Sequence, residues 1–309
     1  MSVPNIQIKH RFQILDVWRG LFASLIVFFH MSAFSDTFVL NNNFIHNSDI
    51  FVDFFFVLSG FVICYAYQNI DTINGVSSFI KKRLKRIYPL HFVILICFVL
   101  AEFFKILVAN YVHINNSLQN TPLTFFTNLF LVNSIAIPGV HGFSWNSVSW
   151  SISAELISYI VFALMCFVLT VYSLSGIKAG VYAFIAIVSF VTMYALTGDF
   201  DLLSTFDFGF LRSIFGFFTG TVCFYAFQRW FAPIKAINNA LFAVMEIVIV
   251  ILLIVAVAFG RDFTSFGPVY EVLFFMSILI FAFEKGIVSK YMLKINFLKN
   301  LGKYSYSIY

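Results

Sequence analysis

The sequence predicts an all-α protein: a polytopic transmembrane helical bundle with eight complete spans and the start of a ninth. Three observations carry this. The 309 residues are 61% hydrophobic and only 11% charged, less than half the charged share of an ordinary soluble domain. The mean hydropathy is +0.93, and 44 phenylalanines exceed what a soluble core of this size needs. Apolar runs of 18 to 23 residues recur along the chain, matching the hydrocarbon thickness of a bilayer. They do not alternate as the short strands of a membrane barrel would.

Taken in order, a polar tail over 1–13 carries Lys9, His10 and Arg11. Apolar spans are expected at 14–34, 50–68, 88–109, 151–173, 177–196, 207–227, 237–259 and 267–284. The first is no cleavable leader, because it holds Arg19 and His30 and no small-x-small site follows. The stretch 110–150 is mostly polar; its short apolar run 123–137 reads as a re-entrant or interfacial piece. Pro89 is expected to open the third span, where its missing N–H is tolerated. The final LGKYSYSIY begins like a helix and stops at Tyr309, which suggests a single membrane-embedded domain over 1–309, truncated at its C-terminal end.

The connections divide by charge. Fifteen of the 19 Lys and Arg residues fall in or beside 1–13, 69–87, 174–176, 228–236 and 285–303, whereas the alternate loops hold only Arg261. The basic side is cytoplasmic by the positive-inside rule, which places the N-terminus inside. The formal charge of +5 therefore reads as topology and not as nucleic-acid binding. The four cysteines lie within apolar runs with no paired spacing, and no metal site is expected.

Charged and polar residues inside apolar runs need a protein-lined polar environment. Asp16, Arg19 and His30 share one face of the first span, and His30 lies about 16 Å beyond Arg19 along the axis. Snorkelling is the alternative for Arg19 and a polar packing contact the alternative for His30, with the alignment favouring a shared cavity. The run FIKKRLKRIYPLH contributes Lys81, Lys82, Arg83, Lys85 and Arg86, either as an anionic-lipid anchor or as a phosphate site. In GFSWNSVSWSISAELISYI, Glu155 lies inside the fourth span, and Ser151 is one of four closely spaced serines. Its carboxylate suits either a helix–helix tie or the orientation of an imidazole. Asp53 and Arg212 are further polar-cavity candidates. Gly216 and Gly220 have the spacing of close helix packing. Glu102 and Lys105, three apart, suit a local ion pair. Glu246 and Glu271 could pair or carry protons.

Six pieces in order then resemble one family. They are DVWRG with an Arg and a His separated by ten residues (Arg19 to His30), VDFFFVLSGFVI, FIKKRLKRIYP, SWSISAE, RSIFGFFTG and LGKYSYSIY. The chain resembles the acyltransferase-3 family of integral-membrane O-acyltransferases. The resemblance implies about ten spans in a bacterial plasma membrane. It implies transfer of an acyl group, typically acetyl, from cytoplasmic acyl-CoA to a hydroxyl of a sugar or cell-surface glycan, with a lipid-linked acceptor among the options. On that reading the basic rim holds the CoA phosphates, and the partners are acyl-CoA, the glycan and the bilayer. His30 is the expected base, or alternatively the carrier of the acyl group in a histidine-bound intermediate, and Glu155 orients its ring or helps to bind the acceptor. Arg19 binds phosphate or shapes the cavity, because a guanidinium does not give up its proton. A transporter of a glycan lipid or small anion, or an inactive truncated membrane protein, would share the membrane charges and the basic rim.

Overall fold

The computed structural model describes residues 11–108, 119–140, 142–200, 203–260 and 267–308, with side chains to 305 in the last segment. The regular structure among these residues is helical. In chain order the helices are α1 (Gln13–Ser32), α2 (Asn43–His46), α3 (Phe51–Ala66), α4 (Ile73–Val108), α5 (Pro122–Leu129) and α6 (Trp150–Val171). They continue with α7 (Lys178–Thr197), α8 (Gly209–Ala236), α9 (Asn239–Ala258), α10 (Gly267–Phe281), α11 (Ile287–Met292) and α12 (Asn296–Ile308).

Among the described residues seven helices are long and apolar enough to cross a bilayer: α1, α3, α4, α6, α7, α8 and α9, with short turns extending the starts of α3, α6 and α7. This corrects the expected eight spans plus the start of a ninth. The run 267–284 fails because α10 ends at Phe281, where successive turns close and Glu284 takes a left-handed φ of 53°. Its 15 residues rise about 22 Å, short of a hydrocarbon core of about 30 Å. The ninth element, α12, is a 13-residue helix with one face packed along α1. The basic run and third span are also not separate: α4 is continuous over 36 residues, with Pro89 inside it.

The chain forms two compact units. Unit 1 comprises Met1–Phe51, Arg229–Gly260 and Met276–Tyr309, and unit 2 comprises Val52–Gln228 and Arg261–Phe275.

In unit 1, α12 approaches α1 so closely that a Cβ on Gly20 would lie 2.5 Å from the Gly302 nitrogen. Only glycine permits that backbone contact. Two carboxylates, one half-buried and one buried, and a lysine tie the connections. Glu284 accepts from the Ile14 N–H (3.0 Å), satisfying a donor in the first turn of α1. Lys285 donates to the carbonyls of Lys235 (2.7 Å) and Ile237 (2.6 Å), so two basic connections meet in this unit. Glu246 is fully buried on α9 and accepts from Gly286 N (2.9 Å), Ser289 N (3.0 Å) and Ser289 Oγ (2.5 Å). It caps α11.

In unit 2, α3 and α8 pack backbone to backbone. A Cβ on Gly60 would run into the Phe217 carbonyl, and one on Gly220 into the Val57 carbonyl. The expected role of Gly220 in close packing follows from this reciprocal contact. Around it, Phe217 meets the rings of Tyr159 (5.8 Å) and Phe162 (5.7 Å) edge-on, and Phe61 meets Phe224 (6.1 Å) and Phe227 (5.7 Å). The phenylalanine-rich composition is thus partly an interlocked aromatic core. Lys178 is buried there, donating to Gln68 O (2.8 Å), Asn69 Oδ1 (2.9 Å) and Thr170 Oγ1 (3.0 Å). It is a structural stitch beyond its contribution to charge bias.

Candidate functional site

Unit 1 contains the α1 stripe. Helical spacing puts Asp16 beneath Arg19, and the two are joined at 3.1 Å. Asp16 also accepts from Arg11 Nε at 2.8 Å. Arg19 reaches α12, donating from Nε to Ser305 Oγ (2.6 Å) and from Nη2 to the Gly302 carbonyl (3.4 Å). Its planar fork therefore fastens two helices before it meets any ligand. His30 lies further along α1. It is exposed, with the Phe29 ring edge-on at 5.1 Å and no hydrogen bond to either ring nitrogen among the described residues. The Asp49 carboxylate acts on it electrostatically within the same unit.

Unit 2 contains the other candidates. The α4 run splits into two kinds of cation. Lys81, Lys82, Lys85 and Arg86 are exposed, whereas Arg83 turns inward. Its guanidinium faces the rings of Tyr67 (5.5 Å), Phe79 (5.6 Å) and Tyr159 (5.9 Å). Glu155, one turn before Tyr159 on α6, accepts the Tyr159 hydroxyl proton at 2.6 Å. Ser59 of α3 lies 3.0 Å from the same hydroxyl. Glu155 is thus held inside its own unit by Tyr159, whose hydroxyl Ser59 in turn contacts. The i,i+4 spacing of Glu155 and Tyr159 was the signal that could have shown this from sequence.

Asp53 and Arg212, separate candidates in the sequence, form one buried bidentate pair. Arg212 Nε reaches Asp53 Oδ1 at 2.7 Å and Nη2 reaches Oδ2 at 2.8 Å. The guanidinium lies 5.2 Å from the centre of the Trp150 ring. Glu271 is also buried; among the described residues neither of its oxygens has a hydrogen-bond partner, and it interacts electrostatically with Asp53 and Arg212. Ser151 donates within its own turn to the Val148 carbonyl (3.0 Å) and opens onto no shared network.

The polar stretch before α6 is the part that the sequence conceals most. Thr121 caps α5 reciprocally with Thr124. Asn128, Asn133 and Ser149 form a buried cluster, with Asn133 Nδ2 to Ser149 Oγ at 2.9 Å and Ser149 Oγ to Asn128 Oδ1 at 3.0 Å. Ser153 donates to the Leu131 carbonyl at 2.7 Å. The apolar run 123–137 is therefore an eight-residue helix followed by a hydrogen-bonded loop. On α4, Lys105 pairs with Glu102 at 2.7 Å, as their spacing suggests. Among the described residues no group of three or more His, Cys, Asp or Glu side chains is placed to hold a metal ion.

A family model described as Acyltransferase domain, of the acyltransferase-3 type, matches residues 12–309. The chain belongs to that family. No curated protein and no solved structure gives a match. For a membrane acyltransferase, two chemical capacities stand out among these side chains. Exposed cations on α4 suit a polyphosphate, because charge-assisted contacts to phosphate need little geometric precision from lysine. An imidazole with both nitrogens open suits proton transfer near neutral pH.

Proposed function

We propose that this acyltransferase moves an acyl group, expected to be acetyl, from cytoplasmic acyl-CoA to a hydroxyl of a sugar or cell-surface glycan. It works in a bacterial plasma membrane, with its N-terminus inside. Family membership over residues 12–309 supports the reaction class. The single observation that carries the assignment of chemistry is His30, whose ring nitrogens are uncommitted on the helix that also carries the paired Asp16 and Arg19.

Neutral His30 takes the acceptor's hydroxyl proton as that oxygen attacks the thioester carbonyl carbon. The carbon–sulfur bond breaks, and the imidazolium returns the proton to the departing CoA thiolate. The products are an ester and free CoA. Lys81, Lys82, Lys85 and Arg86 hold the phosphates of the donor, Arg19 keeps the α1–α12 seam in register, and Glu155 binds the acceptor.

His30→Asn tests the assignment. Asn keeps a polar side chain at that depth but is no base near neutral pH. Turnover at saturating acetyl-CoA and acceptor, per folded protein, is expected to fall at least a hundredfold. Turnover near wild type would remove His30 from the chemistry.

A further inference from the structure

Arg83 is the cation of the α4 run that the phosphate-binding role does not explain. Among the described residues its Nε is buried without a partner, and its one hydrogen bond, from Nη2 to the Tyr67 hydroxyl, is long at 3.4 Å. Three aromatic rings surround the guanidinium. They hold its plane but satisfy none of its N–H groups, so the ligand chemistry it suits is a carbonyl or anionic oxygen. Tyr159 is the ring that looks both ways. Its face is turned to Arg83, and its hydroxyl proton is given to Glu155 Oε1 at 2.6 Å. Because that proton is committed, Ser59 must be the donor in the 3.0 Å contact to the Tyr159 oxygen. The result is a directed chain, Ser59 to Tyr159 to Glu155, in which each bond polarises the next. Glu155 Oε1 is occupied, which leaves Oε2 for a hydroxyl.

We propose that Tyr159 is a positioning residue of the acyl-transfer site. Its ring holds Arg83 toward the acyl oxygen of the donor, and its hydroxyl fixes Glu155 toward the acceptor hydroxyl. This rests on the acyl-transfer reading above. The two halves of the tyrosine then have separable consequences: the hydroxyl governs turnover, and the ring governs donor binding.

The test uses the full chain in native membranes with labelled acetyl-CoA, following free CoA and label in glycan, with folded protein quantified. Tyr159→Phe keeps the ring; it should lower turnover about ten- to a hundredfold, as for loss of a hydrogen bond to a charged group, with KM for acetyl-CoA unchanged. Tyr159→Leu should lower turnover as far and also raise that KM severalfold. Ser59→Ala should lower turnover severalfold in the wild-type background and have no effect in the Tyr159→Phe background, because Ser59 acts only through that hydroxyl. A purely structural tyrosine predicts a lower melting temperature with unchanged turnover per folded molecule. That result, or additive effects of Ser59→Ala and Tyr159→Phe, overturns the proposal alone. A wild-type chain that releases no CoA from acetyl-CoA overturns the acyl-transfer reading, and this proposal with it.

Discussion

Removing Arg212 should cost more stability than removing its partner Asp53, and the surroundings say why. Asp53 is 0% exposed and accepts two short bonds from Arg212, which is 3% exposed. Glu271, 1% exposed, has no hydrogen bond of its own and acts on both members of the pair. Arg212→Met therefore strands two buried carboxyls with no cation, the situation in which breaking a buried pair costs about 3–5 kcal/mol. Asp53→Asn leaves a carbonyl oxygen to accept from Arg212. The cation also keeps the Trp150 face and the Ser204 carbonyl at 3.4 Å. The loss is then that of one charge-assisted bond, about 1.5–3 kcal/mol. The double variant should be less destabilised than the sum of the singles by at least about 1 kcal/mol, because the stranded charges no longer exist together. Unfolding in mixed micelles titrated with a denaturing detergent, followed by tryptophan fluorescence, gives the four values of the cycle. If Asp53→Asn is the more damaging single change, or if the effects add, the reading of a cation serving two carboxyls is refuted.

Lys82→Gln with Arg86→Gln should raise the dissociation constant for acetyl-CoA about tenfold at low ionic strength, with the gap closing toward 1 M salt because both side chains are exposed. Isothermal titration checks this, and an unchanged constant would return the run to a lipid-anchoring role. For topology, single cysteines at Asn74 or Asn41, in a background without the native four, would be probed in intact cells with an impermeant thiol reagent. Asn41→Cys should label and Asn74→Cys should not; the reverse pattern overturns the orientation.

Hydrophobicity and spacing are local properties, and what depends on them was readable. The α1 span, the Glu102–Lys105 pair and the small-residue face of α8 all follow from residues within a few turns of one another. The errors arise where the deciding interaction is distant or where an apolar run does not mark the helix boundary. Asp53 and Arg212 are 159 residues apart, so the sequence shows two residues that each need a partner without showing that they are each other's. Glu246 has the same ambiguity. A carboxylate in an apolar helix reads as a site, yet here it satisfies backbone donors 40 and 43 residues away. In 267–284 the apolar composition continues past Phe281, but the helix does not, because the backbone turns and Glu284 leaves to cap α1.

The same physics explains why charge alone is a poor guide to the reacting groups in this chain. A buried ionisable side chain must be satisfied, and most of those here are satisfied by the protein itself. Lys178 stitches three acceptors, Glu246 caps α11, and Arg212 holds Asp53. A group available to a ligand is instead one whose geometry leaves hydrogen-bonding capacity unmet. By that criterion Arg83, with a buried and unpartnered Nε, His30, with both ring nitrogens uncommitted, and Glu271, whose two oxygens accept no hydrogen bond among the described residues, stand apart from charged neighbours that the sequence makes equally conspicuous; of the three, Glu271 still has the Arg212 cation acting on it. The distinction also ranks the expected mutational phenotypes. Substituting a satisfied charge should be read first in stability, and substituting an unsatisfied one first in turnover or ligand affinity.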